Sequence, residues 1–520
     1  MTKVMTAEQA VSLVKDRDTV WVVCSGGRIN EPALVLKKLE ERFLQTQHPA
    51  QLTLCHSSGI GDKNGAGSDR FGHDGMVRRV IGSHWVWSPR ICKMALDNKI
   101  EAYTLPQGVM VQLAREIAGG KPGLISHVGL GTYIDPRIEG GKMNEACKED
   151  LVEVLQMDGK EWLYYRSFPI NVVILRGTTA DEDGNISMEH EGIVLEHTSA
   201  AQAAKNSGGI VIAQVKRLTK RGTLDPKSIK IPGIYVDAVV VDPDQTQSMI
   251  TDYNPAYTGE IRQPEGEAVF MPLNERKIVA RRASMELFEG AVVNLGFGIP
   301  DGVANVANEE GLADRITLTV EQGVVGGVPA LGVDFSLGNN PQAILDEPYQ
   351  FDFYDGGGLD LTFLSFAELD PDGNVNVSKF GNRVVGVGGF VNISQNAKKV
   401  VFCATFTSSG LAVAIHDKKL QIMQEGKFHK FVPKVNQISF SGKRAQQTGQ
   451  KVLYVTERAV FELQECGLVL TEIAPGIDLK RDILDCMAFQ PIISKDLKLM
   501  DARIFVDQPM QLKDTWKHGV

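Results

Sequence analysis

The chain has 520 residues, 43% of them hydrophobic and 23% charged, and carries a formal net charge of −9. Such a length exceeds what one hydrophobic core sustains and predicts two domains, while the acidic balance argues against a protein that grips nucleic-acid backbones. An N-terminus without an apolar signal core, no run of 18 apolar residues, and seven dispersed Cys without a CxxC pair predict a cytoplasmic protein with reduced thiols, outside the membrane.

In chain order, Thr19–Val23 reads as a buried strand, followed by the turn Gly26-Gly27-Arg28-Ile29-Asn30-Glu31-Pro32. A helical stretch from Pro32 to Phe43 and the apolar run Leu52–Cys55 come next. Pro106-Gln107-Gly108 precedes a helix-like Val109–Ile117; Gln107 could offer an amide donor there, and a simple turn explains it as well. VVILRGTTADEDGNISM (172–188) is an apolar strand running into an Asp-Gly-Asn turn and a second strand, with Ile210–Ala213 as the next strand. The polar stretch at 246–272, with Pro255 and Pro264, reads as a linker.

The second half repeats the first. Ala291–Leu295 is a strand, a helix opens at Pro300 and stops at Gly311, and Ile316–Val320 is a strand again. LTFLSFAELDPDGNVNV (361–377) matches 172–188, with Gly184 and Gly373 lying 189 residues apart, and Lys399–Phe402 follows Ile210–Ala213 at the same offset. The opening strands are farther apart, so the first half must hold roughly 80 additional residues between 60 and 165. Strands alternating with helices predict an α/β fold of two homologous domains, each a largely parallel mixed sheet flanked by helices. We place them at 1–245 and 273–520.

In open α/β sheets the ligand crevice lies beyond the carboxyl ends of the strands. Asn294-Leu295-Gly296-Phe297-Gly298-Ile299-Pro300 is a glycine turn feeding a helix, suited to backbone approach and an anion; a βα turn that binds nothing fits the same residues. Glu321-Gln322-Gly323 ends a strand with a carboxylate. A helix cap or a surface ion pair is the plain reading, but residues 322–332 contain four Gly and no charge. No near sequence neighbour neutralises Glu321, and a poorly solvated carboxylate is the better nucleophile. In Asp355-Gly356-Gly357-Gly358-Leu359-Asp360-Leu361 a backbone N–H could face a ligand oxygen, or the glycines form a plain loop. No HExxH, GxSxG or P-loop occurs and no His/Cys cluster has metal-ligand spacing, so metal, serine-hydrolase and NTPase chemistry lose support.

Together these motifs resemble the family I coenzyme A transferases, specifically the fused single-chain acetate/propionate type. The resemblance spans nearly the whole chain: duplicated halves, the GxGxP turn at Gly296–Pro300, and the E-x-G element Glu321-Gln322-Gly323. Further matching stretches are AYTLPQG (102–108), GLGTYIDPRIEGGKMN (129–144) and GGGLDL (356–361). It implies Glu321 as a catalytic nucleophile that carries CoA as a glutamyl thioester. It implies Gln107 and a backbone N–H of the loop bearing Gly357 and Gly358 as oxyanion donors from opposite domains. Asn294, Gly296, Gly298, Ile299 and Pro300 would lie along CoA. By the same resemblance no metal or cofactor is needed, since CoA is itself a substrate; the partners are acyl-CoA and short-chain carboxylates, and the assembly is a homodimer or homotetramer. The turn at Gly26–Pro32 departs from GxGxP through Arg28 and Asn30, and 332–342 would border the acyl pocket. Three rivals use parts of the same pattern: an acyl-CoA hydrolase on the same scaffold, a sugar-phosphate or CoA-responsive binding protein, and an NAD-dependent oxidoreductase. The binding protein has no use for an unpaired Glu321, and the oxidoreductase fingerprint lacks its third Gly.

Overall fold

A computed structural model describes residues 3–264, 270–381 and 383–516; residues 265–269 of the expected linker lie outside the described residues. The chain folds as two compact units. The first contains the chain up to Gln263 together with Val320–Asp352 and Gly381–Asn392. The second contains Pro264–Thr319, Phe353–Phe380 and the chain from Ile393 onward. This division differs from the expected halves 1–245 and 273–520, because two segments of the second half are built into the first unit. Glu321 is in one of them.

The sheet of the first unit centres on Val172–Asp181, buried at every position, as a strand covered on both faces must be. Thr19–Val22 and Ile210–Thr219 pair with it in parallel on its two sides. From Thr19–Val22 the parallel order continues through Leu52–His56 and Val77–Gly82 to Glu101–Thr104. Helices Ala33–Thr46, Pro89–Leu96 and His197–Asn206 connect strands of this sheet. The additional residues expected between 60 and 165 supply two of those strands. They also build a separate antiparallel sheet of Gly123–Ser126, Val152–Met157 and Lys160–Arg166, with the last in the middle.

In the second unit the order is Thr317–Thr319, Val292–Leu295, Leu361–Leu364, Lys399–Cys403 and Lys451–Val455, all parallel. Ala459–Gln464 and Gly467–Ile473 add antiparallel hairpin strands, and Ile492–Leu499 runs parallel to the last of them. The helix expected from Pro300 to Gly311 spans Gly302–Glu309.

The duplication is visible at atomic detail in the two Asp-Gly-Asn turns. Asp181 Oδ1 accepts the N–H groups of Asp183 and Asn185, and Oδ2 accepts Asn185 Nδ2–H. Asp370 repeats all three bonds with Asp372 and Asn374. Gly184 at φ 84° and Gly373 at φ 75° complete the turns in the left-handed region, where a Cβ is strained. All seven Cys are free thiols, and among the described residues no helix is long and apolar enough to cross a membrane.

Candidate active site

After the strand Thr317–Thr319 the chain reverses. The Val320 N–H bonds Val324 O at 2.8 Å and the Gly323 N–H bonds Val320 O at 3.0 Å. Gly323 has φ +104°, and a Cβ built there would overlap the Leu345 carbonyl oxygen, whose residue returns an N–H bond to Gly323 O at 2.9 Å. The following Val324–Val325 pairs antiparallel with Ala343–Ile344. Glu321 is thus held at the tip of a tight, doubly tied turn. Its side chain is partly buried and accepts one hydrogen bond, from Gln322 Nε2 at 3.1 Å. Among the described residues no Lys, Arg or His pairs with it. Burial pushes its carboxyl up to about 7, against the opposing pull of the Gln322 amide, as expected for a carboxylate with little to solvate it.

Gln107 is buried and is the first residue of the helix Gln107–Ala118, behind Pro106. Its backbone N–H donates to Gly388 O at 2.9 Å, and the Gly108 N–H donates to Asn392 Oδ1 at 3.1 Å. Its side chain is engaged too: Nε2 donates to Glu347 Oε1 at 2.5 Å. The loop bearing Gly388 is anchored by the Val387 and Gly388 N–H groups on Ser83 O. Gly389 is buried, and among the described residues nothing accepts its N–H.

Glu347 opens the helix Glu347–Asp355, its N–H on Val194 O at 2.9 Å. Two residues beyond Val194 stands Glu196, whose Oε1 accepts Trp21 Nε1–H at 2.8 Å and Ser57 Oγ–H at 2.6 Å. Both acids are fully buried, and each is near enough to shift the other's carboxyl. Among the described residues the Oε2 atom of each has no hydrogen-bond partner. Two carboxyl groups can hydrogen-bond to each other only if one of them carries a proton. Burial and the neighbouring Glu196 push Glu347 well up, and the charge of Glu321 adds to this.

The residues expected along CoA are in the second unit. Asn294 is buried and bridges strands, Nδ2 on Thr319 O and Oδ1 accepting from Thr362 Oγ1. The Gly296 N–H extends the ladder to Phe363 O at 2.8 Å. Gly298, at φ +100°, gives its N–H to Asp301 Oδ2 at 2.9 Å, so the donor expected to face a ligand is already held. Burial pushes that Asp301 carboxyl up to about 6. Phe297 is 60% exposed on the same turn, ahead of Ile299 and Pro300. The loop at Gly357 and Gly358 likewise spends its donors locally: Gly357 N–H on Tyr354 O at 3.0 Å and Gly358 N–H on Phe353 O at 2.9 Å, closing the end of a helix.

The sequence profile of the family described as coenzyme A transferase matches residues 4–242. Acetate CoA-transferase YdiF of Escherichia coli strain K12 is 47% identical over 508 residues, covering 98% of this chain and 96% of its own. The chain belongs to the coenzyme A transferase family. Caffeate CoA-transferase of Acetobacterium woodii is 46% identical to the transferase over 516 residues, with 98% of each chain covered. A crystal structure of the acyl-CoA transferase YdiF of E. coli O157:H7, a thioester complex with CoA, superposes with a TM-score of 0.93 at 46% identity, over 98% of this chain and 97% of that one. The transferase is an enzyme that moves CoA between an acyl-CoA and a carboxylate.

Of the residues singled out from sequence, Glu321 and Gln107 fall in one compact unit, where Gln107 hydrogen-bonds Glu347. Asn294, Gly296, Gly298, Ile299, Pro300, Gly357 and Gly358 fall in the other. Sequence reasoning passed over Glu196, Glu347 and Gly389. The two acids stand in no motif with each other, 151 positions apart; Gly389 sits in the run Gly386-Val387-Gly388-Gly389, a glycine signal as strong as the one at 356–358.

Proposed function

We propose that the transferase works by ping-pong chemistry on Glu321, with short-chain acids of the acetate, propionate and butyrate class as its carboxylates. The Glu321 carboxylate attacks the thioester carbonyl of an acyl-CoA, forming an acyl–glutamyl anhydride and expelling CoA thiolate. The thiolate then attacks the Glu321 carbonyl, releasing the first acid and leaving a glutamyl-CoA thioester. The acceptor acid runs the same steps backwards. One observation carries this reading: a carboxylate on a turn tip, with a single amide donor and no cation among the described residues, held up to about 7 by burial. Such a group is about half ionised at neutral pH and weakly solvated, so a substantial share is present as the carboxylate a nucleophile needs.

Oxyanion support falls to Gln107 and to the buried N–H of Gly389. The Gly389 N–H replaces those of Gly357 and Gly358, which already bond within their own loop. One such donor contributes about 3 kcal/mol to a transition state. The turn Asn294–Pro300 runs along CoA, with exposed Phe297 supporting apolar contact to the pantetheine arm. Cysteine carriers compete poorly, because burial pushes the thiols of Cys24, Cys55 and Cys403 well up. The same reading includes no metal or cofactor, a cytoplasmic location and a homodimer or homotetramer, the last open to a solution mass measurement.

Borohydride added after acyl-CoA should reduce the thioester and mark the peptide containing Glu321, with free acid released in equal amount. A label on a cysteine peptide, or none at all during turnover, rules the reading out.

A further inference from the structure

Glu196 and Glu347 take no part in the covalent steps above, yet the fold buries them side by side. An unneutralised buried carboxylate costs several kcal/mol, and among the described residues neither acid has an ion pair. The charged neighbours in sequence are spoken for: Asp346 pairs with Lys230 at 2.7 Å and Glu191 with Arg176 at 2.5 Å. One proton between the two acids is therefore what the arrangement holds. Glu196 has two further donors, Trp21 Nε1 and Ser57 Oγ, and is the better carboxylate. The proton belongs to Glu347, leaving its Oε1 to accept from Gln107.

We propose that Glu347 is a positioning residue: as a neutral acid sharing its proton with Glu196, it fixes the Gln107 side-chain amide and leaves that amide's second N–H for the oxyanion. The inference rests on the reading of Glu321 as nucleophile. Ionised, Glu347 would set a second negative charge near Glu321 and oppose the departing thiolate. Neutral, it orients a donor without that repulsion.

The test is steady-state kinetics on Glu347→Ala, Glu347→Gln, Gln107→Ala and the Glu347→Ala/Gln107→Ala double variant, with melting temperatures alongside. Freeing one oxyanion donor from its orientation should lower kcat about tenfold to hundredfold in Glu347→Ala, with KM for acyl-CoA within about twofold. Glu347→Gln, a neutral isostere that can still accept from Gln107 and donate to Glu196, should recover most of that loss. In the Gln107→Ala background, Glu347→Ala should add little, since the amide it positions is gone. If Glu347→Ala does not fold, Glu347→Asp takes its place; its acid withdraws by one methylene and should lose kcat where Glu347→Gln does not. The proposal is overturned if Glu347→Gln, at unchanged melting temperature, is as impaired as the shortened variants, or if the losses at 347 and 107 are fully additive. Borohydride labelling of the wild-type enzyme separates the two readings: a label on Glu321 with additive losses sinks only the role of Glu347, whereas no label on Glu321 sinks the nucleophile.

Discussion

Gln322 Nε2 donates to Glu321 Oε1 at 3.1 Å, while the carbonyl oxygen of the same amide is buried with no partner among the described residues. Among the described residues, the one donor that stabilises the charged form of Glu321 is therefore its immediate neighbour. Gln322→Ala removes it, so the Glu321 carboxyl should rise beyond about 7. The acid limb of kcat/KM should move to higher pH, with the plateau at high pH little changed. A pH–rate profile of the variant against wild type checks this, and an unmoved limb contradicts it.

With Glu321 as the proposed nucleophile, acting as a carboxylate, kcat/KM for acyl-CoA should be flat above a pH of about 7 and fall about tenfold per unit below it. Glu321→Ala should abolish transfer. Glu321→Asp should nearly do so, because the shorter arm misplaces the attacking oxygen.

The same burial has a stability signature. A carboxyl whose folded-state value is raised from 4.5 to about 7 binds its proton more tightly when folded. Its cost is absent below pH 4.5, grows as pH rises, and is complete above about 7. Glu321→Gln removes it. The variant should melt higher than wild type at pH 8, with a stability gain of about 3 kcal/mol, and show no gain near pH 4.

Gly323→Ala should lower both activity and stability. The position has φ +104° and a Cβ there overlaps Leu345 O, so the turn carrying Glu321 must shift. A loss of about 2 kcal/mol or more in thermal unfolding, with a drop in kcat larger than that in substrate affinity, is expected.

Asp181→Ala and Asp370→Ala each delete the same three hydrogen bonds from equivalent turns, and Asp370→Ala also loses the Val435 N–H bond to its Oδ2. Each should cost about 1–3 kcal/mol in denaturant unfolding without moving the acid limb of the activity profile.

Much of the fold could be read directly, because it depends on short-range patterns. Strand Val172–Asp181 announces itself as an apolar run, the Asp-Gly-Asn turns as fixed side-chain chemistry, and the 189-residue offset of Gly184 and Gly373 as duplication. Glu321 was legible for the same reason: a charge followed by an uncharged, glycine-rich stretch stands out locally.

Sequence by itself determined the α/β class and the repeat, and singled out Glu321 as the candidate carboxylate. Only the tertiary structure brought Glu196 against Glu347, assigned Val320–Asp352 to the first compact unit, and showed that Gly357 and Gly358 use their N–H groups to close a helix while Gly389 does not. The reason is that burial and hydrogen-bond partnership are properties of three-dimensional neighbours. A lone glutamate at 196 and another at 347 look like surface residues until folding removes the water from both.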